Sequence, residues 1–428
     1  MQLIANAIEE YIAPVAKLLT NSKHILAVRD GFQLAMPFIF VGSLFVPLLY
    51  PPFIPTHPGT FAQSWLVLSR ELRPLLLPAF QLTSGLISLI ISFGAAASLA
   101  KHYQLPQRFS GLTGCISFLL LIGFFTDQTA AIRYLGGMGI FTATFASLYA
   151  VEIIHQFYTR GWFFSMPEEV PQITRNGFAL IIPLFFILLS LSCFNLILKH
   201  YWGLPFPQLM ETIFQPLIIA SDSLPAILLS LLVCNVLFFI GIHGSILVTG
   251  IMNPFWLSNL AVNQHALAAG QAIPHIYTQG FWDYYLLIGG VGSTLPLMLM
   301  AFRSRSQQLR SVGKLGFIPS LFNINEPILF GFPIIMNPLF LIPFISVPMI
   351  NATIAWYLTK LEILDRFIAM LPWSMPAPIG AAWAANGSLN NALMSILAIS
   401  ISWSIYRPFF NVHEKMLLKQ AQRARSAN

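Results

Sequence analysis

The sequence predicts an all-α polytopic membrane protein, and three observations lead there. Of its 428 residues, 56% are hydrophobic and only 9% are charged, and the mean hydropathy is +0.73. Soluble chains carry about 25% charged residues, so too few charges are present to cover a water-facing surface. The charges are also clustered. None of Asp, Glu, Lys or Arg occurs between Asp30 and Arg70, Arg73 and Lys101, Arg108 and Asp127, Arg133 and Glu152, or Arg175 and Lys199. The same holds between Asp222 and Asp283, Asp283 and Arg303, Glu326 and Lys360, and Arg366 and Arg407. A crossing helix needs about 20 apolar residues, so these gaps hold roughly 8–11 helices, the longer ones taking two spans or a span and a re-entrant piece.

The basic residues set the orientation. Formal net charge is +7 and the pI about 9.4. Lys and Arg are retained in cytoplasmic loops, and here they gather in a loop (Arg303, Arg305, Arg310, Lys314) and a tail (Lys415, Lys419, Arg423, Arg425). Lys17, Lys23 and Arg29 place the N-terminus on the same side, which implies an even number of crossings with both termini cytoplasmic. Loop charge accounts for the basic pI, so nucleic acid is not a partner. Cys115, Cys193 and Cys234 lie in apolar stretches without CxxC or Cys/His spacing. They read as buried hydrophobes rather than disulfides or metal ligands.

Along the chain, residues 1–30 form an amphipathic cytoplasmic helix: Leu3, Ile4, Ala7, Ile8, Tyr11, Ile12, Val15 and Leu18 recur at helical spacing. Glu9 and Glu10 interrupt any secretory signal core. Residues 31–220 read mainly as scaffold and dimerisation helices, with loops at Pro51–Pro52, Pro55, Pro58 and from Arg160 to Asn176. Residues 221–405 differ in texture, mixing Gly, Pro, Asn, His and Trp into apolar sequence. Pro327, Pro333, Pro338, Pro343 and Pro348 would repeatedly break a regular helix. Irregular backbone at membrane depth is tolerated only inside protein or beside a watery cavity, and transporters build midplane binding sites from broken helices. This part therefore reads as a transport core with re-entrant segments, and residues 406–428 as a basic cytoplasmic tail.

Three places could carry chemistry. In Phe322-Asn323-Ile324-Asn325-Glu326-Pro327, a carboxylate sits between Asn residues and a proline, ahead of a long uncharged run. Such groups are costly in a membrane and face a cavity; the plainer alternative is that Glu326 ends a helix at the interface. His243 lies in the longest charge-free gap near Gly241 and Gly244, able to donate to a sugar oxygen, share a proton with Glu326, or simply pack in the core. Trp373, in Leu371-Pro372-Trp373-Ser374-Met375-Pro376, is either packing filler or a platform for a sugar ring. His265 and His275 read as loop residues and Asp283 as interfacial. No P-loop, metal-ligand cluster or nucleophile elbow occurs, which argues against an ATP-driven pump or a hydrolase.

Around these residues the chain resembles a known family. The resemblance runs through Val28-Arg29-Asp30-Gly31-Phe32 with Met36-Pro37, Gly241-Ile242-His243-Gly244 with Gly250-Ile251-Met252, and Gly289-Gly290-Val291-Gly292-Ser293-Thr294-Leu295. It continues in Asn323-Ile324-Asn325-Glu326-Pro327 with Gly331, Pro333 and Asn337-Pro338, and closes on Arg407-Pro408-Phe409-Phe410 with Glu414-Lys415. The chain is similar to the lactose/cellobiose/N,N'-diacetylchitobiose permease subunit, enzyme IIC, of the bacterial sugar phosphotransferase system.

The resemblance implies a ten-helix homodimer with re-entrant hairpins in the bacterial inner membrane, and an elevator-like movement of the sugar-binding domain. It implies a β-linked disaccharide as substrate, a separate IIB protein as phosphoryl donor with IIA upstream, lipid around the spans, and neither cofactor nor metal. Phosphotransferase activity would arise only together with IIB. Glu326 and His243 would contact the hydroxyl to be phosphorylated, with Glu326 as general base; Asn323, Asn325 and Trp373 match the substrate-binding motif. The family usually has small hydroxyl residues after this tryptophan, where Ser374-Met375 stands here. The rival expectation is a proton-coupled secondary transporter using Glu326 and His243 as a relay, and a weaker one a membrane enzyme acting on a lipid.

Overall fold

The computed structural model describes residues 22–50, 60–126, 128–239, 243–332, 334 and 337–427. Most of the predicted amphipathic helix lies outside the described residues. Every regular element among the described residues is helical. The first half holds α1 (Lys23–Leu49), α2 (Thr60–Thr83), α3 (Ile87–His102), α4 (Gln107–Leu121), α5 (Gln128–Leu135), α6 (Ile140–Thr159), α7 (Gln172–Trp202) and α8 (Phe206–Ser221). Then come α9 (Leu224–Phe239), α10 (Gly244–Ala268), α11 (Leu295–Phe302), α12 (Gln307–Leu321), α13 (Glu326–Gly331), α14 (Pro338–Lys360), α15 (Ala377–Ala384) and α16 (Leu389–Ala427).

Among the described residues, seven helical stretches are long and apolar enough to cross a membrane, or eight if α8 and α9 count as one broken span. Among the described residues the rest are shorter pieces such as α4, α11, α13 and α15. The most apolar stretch, Gln172–Trp202, has a mean hydropathy of 2.5 yet is only 22% buried. On α7, Phe178, Ile181, Phe185, Leu189 and Leu196 are all exposed along one side. An apolar face of that extent is unstable in water and belongs in lipid. Cys193 is exposed on this same helix, not buried as its apolar neighbours suggested; Cys115 is half-buried and Cys234 buried.

The chain falls into two compact units that are interleaved along the sequence. One comprises Met1–Gly42, Leu75–Ile219 and Gly250–Val262; the other comprises Ser43–Pro74, Ala220–Thr249 and Asn263–Asn428. The first is held by close approach of small residues. At the crossing of α1 and α3, a Cβ on Gly31 would lie 2.8 Å from the Ala95 nitrogen, and one on Gly94 would lie 2.9 Å from the Gly31 Cα. Asp30 beside this crossing accepts from Arg29 (2.8 Å) and from the Ser98 hydroxyl (2.7 Å). In the α3–α4–α6 cluster, the Ser147 hydroxyl donates to the Ser92 carbonyl at 2.9 Å. Lipid tails supply no hydrophobic drive between helices, so tight van der Waals contact through Gly, Ala and Ser takes its place.

The second unit is more irregular. Two of the prolines expected to break helices do not: Pro343 and Pro348 lie inside α14. Pro338 opens that helix, and the Asn337 side chain caps it by accepting the Leu339 N–H at 3.1 Å. Proline fits a first turn, where its missing N–H costs nothing, and within membranes neighbouring groups satisfy the carbonyls that an interior proline frees. The basic tail is likewise not a separate segment, because α16 continues unbroken through residues 405 and 406.

The α3–α4 contact yields a direct test. A Cβ on Gly114 would approach the Ala96 Cβ to 2.7 Å and the Ser92 carbonyl oxygen to 2.9 Å. Gly114→Val should therefore destabilise the protein by about 1–3 kcal/mol through overpacking. Thermal unfolding in detergent, followed by size-exclusion fluorescence, should show a lowered midpoint.

Candidate functional site

The second unit contains a loop that few sequences could form. Gly289 (φ +71°), Gly290 (φ +96°), Gly292 (φ +81°) and Ser293 (φ +53°) all take positive φ within five residues. Glycine reaches that region without a Cβ penalty, and Gly290 is further restricted because the Asn325 amide fills the space a Cβ would need. Such a loop exposes backbone groups that no helix satisfies, and side chains take them instead. The Ser293 hydroxyl donates to the Leu286 carbonyl (2.6 Å), Thr294 to Gly289 (2.8 Å) and the buried Tyr406 hydroxyl to Gly292 (2.7 Å).

Two asparagines complete the arrangement. Asn325 donates through Nδ2 to the Val291 carbonyl at 2.8 Å and to the Thr294 hydroxyl at 3.0 Å. Asn323, itself at φ +61°, accepts the Gly289 N–H at 2.9 Å. It donates to the Trp373 carbonyl at 2.6 Å and the Met375 carbonyl at 3.1 Å. Both amide groups thus have their donors committed to the protein, although the motif led us to expect them facing a ligand. Any contact they make to a ligand runs through the amide oxygens, each of which has two lone pairs.

Asn323, Asn325 and the Trp373 segment are therefore brought together around the glycine loop. Trp373 is tied through its backbone while 47% of the residue stays exposed. Its segment is also held by the Tyr284 hydroxyl, which donates to the Pro372 carbonyl at 3.2 Å. Glu326 opens α13 directly after Asn325, whose carbonyl accepts from Ile328 and Leu329 at 3.0 Å. The Glu326 side chain lies outside the described atoms. His243 precedes α10, is exposed, and has its ring 4.6 Å from that of Phe238. Among the described residues, its side chain does not enter the asparagine network.

Three sequence readings need correction. Asp283 is not interfacial: it is 5% exposed, inside a π turn at Trp282–Leu286. Its Oδ2, the Gln279 Oε1 and the Thr278 hydroxyl are buried without hydrogen-bond partners. π turns recur at functional sites, and a lone carboxylate in an otherwise uncharged run of 80 residues was the available signal. His275 is not in a solvated loop, since its Nδ1 lies 2.9 Å from Asp222. That same carboxylate accepts the Tyr277 N–H at 2.7 Å, and Asn263 bridges the His275 and Phe367 carbonyls at 2.9 Å each. His265 is exposed but helical, in the last turn of α10.

Apolar spans, some of them broken, together with a loop braced by buried amides define a membrane transporter of the broken-helix kind. Comparison with known proteins identifies which kind. The family described as "Phosphotransferase system, EIIC" matches residues 29–348. The chain is 31% identical to the lichenan permease IIC component of Bacillus subtilis (strain 168), covering 98% of this chain and 96% of that one. It is 30% identical to the cellobiose-specific EIIC component of Geobacillus stearothermophilus, covering 99% and 97%. The crystal structure of ChbC, the IIC component from the N,N'-diacetylchitobiose-specific phosphotransferase system, superposes with a TM-score of 0.89 at 30% identity, over 97% of this chain and 99% of that one. The chain belongs to the EIIC family: it is the membrane permease component of a sugar phosphotransferase system, and such components work with IIB and IIA partners.

The asparagine brace is testable apart from transport. Asn325→Ala leaves the Val291 carbonyl without its donor in a buried site, at a cost of about 1–3 kcal/mol. The purified variant should unfold at a lower temperature than wild type. An unchanged midpoint would mean that the loop holds itself.

Proposed function

We propose that this chain carries a β-linked disaccharide of the cellobiose, lactose or diacetylchitobiose type across the bacterial inner membrane, and that Glu326 is the base for its phosphorylation. The named relatives support the sugar class, since they are described as acting in lichenan, cellobiose and diacetylchitobiose systems. The observation that carries the base assignment is the seat of Asn325. Its amide is bolted to the 291–294 loop, and this fixes the backbone from which the next side chain projects.

In the reaction, a sugar hydroxyl attacks phosphorus on a phosphocysteine of IIB. The O–P bond forms, the S–P bond breaks, and the hydroxyl proton passes to Glu326. His243 donates to the same hydroxyl and keeps it oriented. Trp373 offers its exposed ring to the sugar face, and the oxygens of Asn323 and Asn325 accept from its hydroxyls. The phosphorylated product is charged and cannot leak back. The second unit moves as the sugar-carrying body and the first serves as scaffold in a homodimer.

Both termini and the Arg303–Lys314 segment lie in the cytoplasm, where IIB docks. The Glu414 carboxylate supports this by accepting the Ser304 hydroxyl at 2.5 Å and the Arg305 N–H at 2.7 Å, which puts the two basic segments at one end of the second unit.

Glu326→Gln keeps size and much of the hydrogen bonding but cannot take the proton. General bases contribute typically 10²–10⁴-fold, so phosphorylation by phospho-IIB should fall by about that factor in reconstituted vesicles, while entry of unmodified sugar persists. Phosphorylation within about threefold of wild type, far short of that range, would remove the base assignment. For Trp373→Ala, affinity for a radiolabelled disaccharide should weaken by about 1–3 kcal/mol, the cost of truncating an aromatic anchor that the bound sugar covers. An unchanged dissociation constant would return Trp373 to packing.

A further inference from the structure

The first unit carries a pair of adjoining cavities that hold none of Asn323, Asn325 or Trp373. One, of about 460 Å³, is lined by Arg133, Tyr134, Phe141, Gln208, Glu211 and Ile218 among others. The second, of about 500 Å³, shares Arg133, Tyr134 and Gln208 and adds Asn195 and Lys199. Tyr134 and Gln208 stand on their common wall.

Their chemistry is two-signed. Glu211 Oε1 and Asn195 Oδ1 are buried acceptors with no hydrogen-bond partner. Each leaves an unmet demand for an N–H or O–H donor, costly in an apolar setting. Arg133, within electrostatic reach of Glu211, and Lys199 present two cations to this space against one carboxylate, and the surplus calls for an anion. A ligand that answers both carries an ammonium and a phosphate a few bonds apart.

Depth in the membrane narrows the ligand further. Lys199 is in the last turn of α7, and the next residues, Tyr201 and Trp202, are 74% and 66% exposed. Exposed Tyr and Trp at the end of an apolar span mark the headgroup plane. The other walls come from the ends of helices too, at Gly123 after α4 and at Gly203 and Pro205 between α7 and α8. Phe141, Leu204, Ile218 and Val262 give the first cavity an apolar side suited to the glycerol end of a lipid.

We propose that these cavities bind the headgroup of phosphatidylethanolamine, with the ammonium donating to Glu211 in the first cavity and the phosphate held by Arg133, which lines both, and Lys199 in the second. Choline lipids lack the N–H donors, and glycerol lipids lack the cation. Glu211 thereby selects the headgroup, and Arg133 holds it without selecting.

The test uses the full-length protein purified in detergent and reads bound lipid by native mass spectrometry. The lipids are phosphatidylethanolamine, phosphatidylcholine and phosphatidylglycerol with identical acyl chains. Wild type should retain phosphatidylethanolamine over the other two by about tenfold or more, as expected for charge-assisted hydrogen bonds. Glu211→Gln should abolish that preference, and Arg133→Gln should weaken retention of all three lipids. Disaccharide binding should be unchanged in both variants, which reports that each is folded. Equal retention of ethanolamine and choline lipids by wild type would overturn the proposal, as would a preference that survives Glu211→Gln. Displacement of the lipid by equimolar free O-phosphoethanolamine would also overturn it, assigning the site to a soluble phosphoamine.

Discussion

Backbone groups in a membrane have no water to turn to, and that constraint organises the second unit. A loop with four positive-φ residues in five positions cannot satisfy itself by helix or strand, and each buried carbonyl left bare costs about 1–3 kcal/mol. Side chains answer the demand, Ser293 and Thr294 from the loop itself and Asn323, Asn325 and Tyr406 from distant parts of the sequence, placing polar atoms on the backbone of residues 286–292. Asn is suited to this, since one amide both donates and accepts. Asn323 uses both functions, taking an N–H from Gly289 and giving to the carbonyls of Trp373 and Met375. Remove that exchange and the loop, the start of α13 and the tryptophan segment lose their common anchor.

The two units solve the problem of packing without water in different ways. In the first, regular helices satisfy their own backbones and need only approach closely, which Gly31, Gly94 and Gly114 allow. In the second, close packing is combined with polar bridges between side chain and backbone. Gln264 donating to the Ile368 carbonyl at 2.9 Å and Asn391 to the Asp365 carbonyl at 2.8 Å extend the same device away from the glycine loop. The irregular segment 361–376 is thereby bridged to its neighbours by side chains where a helix would use its own backbone. The glycines at 289, 290 and 292 stand where the fold relies on side-chain donors rather than on the helical ladder.

How much of this was legible follows from the range of each interaction. Membrane class and helical architecture were readable because charge depletion is a local property of the chain, and the Asn-Ile-Asn-Glu-Pro motif was readable as a family mark. The asparagine partners were not, since Asn323 reaches residues 34 positions before it and 50 and 52 after it. Without those partners, an amide destined for backbone looks the same as one destined for a ligand. His275 was misread for the same reason: its partner Asp222 is 53 residues away, across the charge-free gap. Asp283 was misplaced because a π turn leaves no periodic signature over five residues. The interleaving of the two units was invisible too, since hydrophobicity tells a helix that it must pack but not against which neighbour.

The geometry around Trp373 shows what the asparagine brace achieves for binding. A side chain that ordered itself only on meeting its ligand would lose part of the contact energy to immobilisation, on the order of 0.5–1.5 kcal/mol for a flexible one. Here the backbone on both sides of the ring is already fixed, by Tyr284 at Pro372 and by Asn323 at Trp373 and Met375, while the ring itself remains half in the open. The unusual Ser374-Met375 pair fits this arrangement, because Asn323 reads the Met375 carbonyl and is indifferent to its side chain. The departure from the family's small hydroxyl residues therefore leaves the brace intact and alters only the surface beside the ring. That confines its structural consequence to the surface beside the ring and leaves the assembly of the brace untouched.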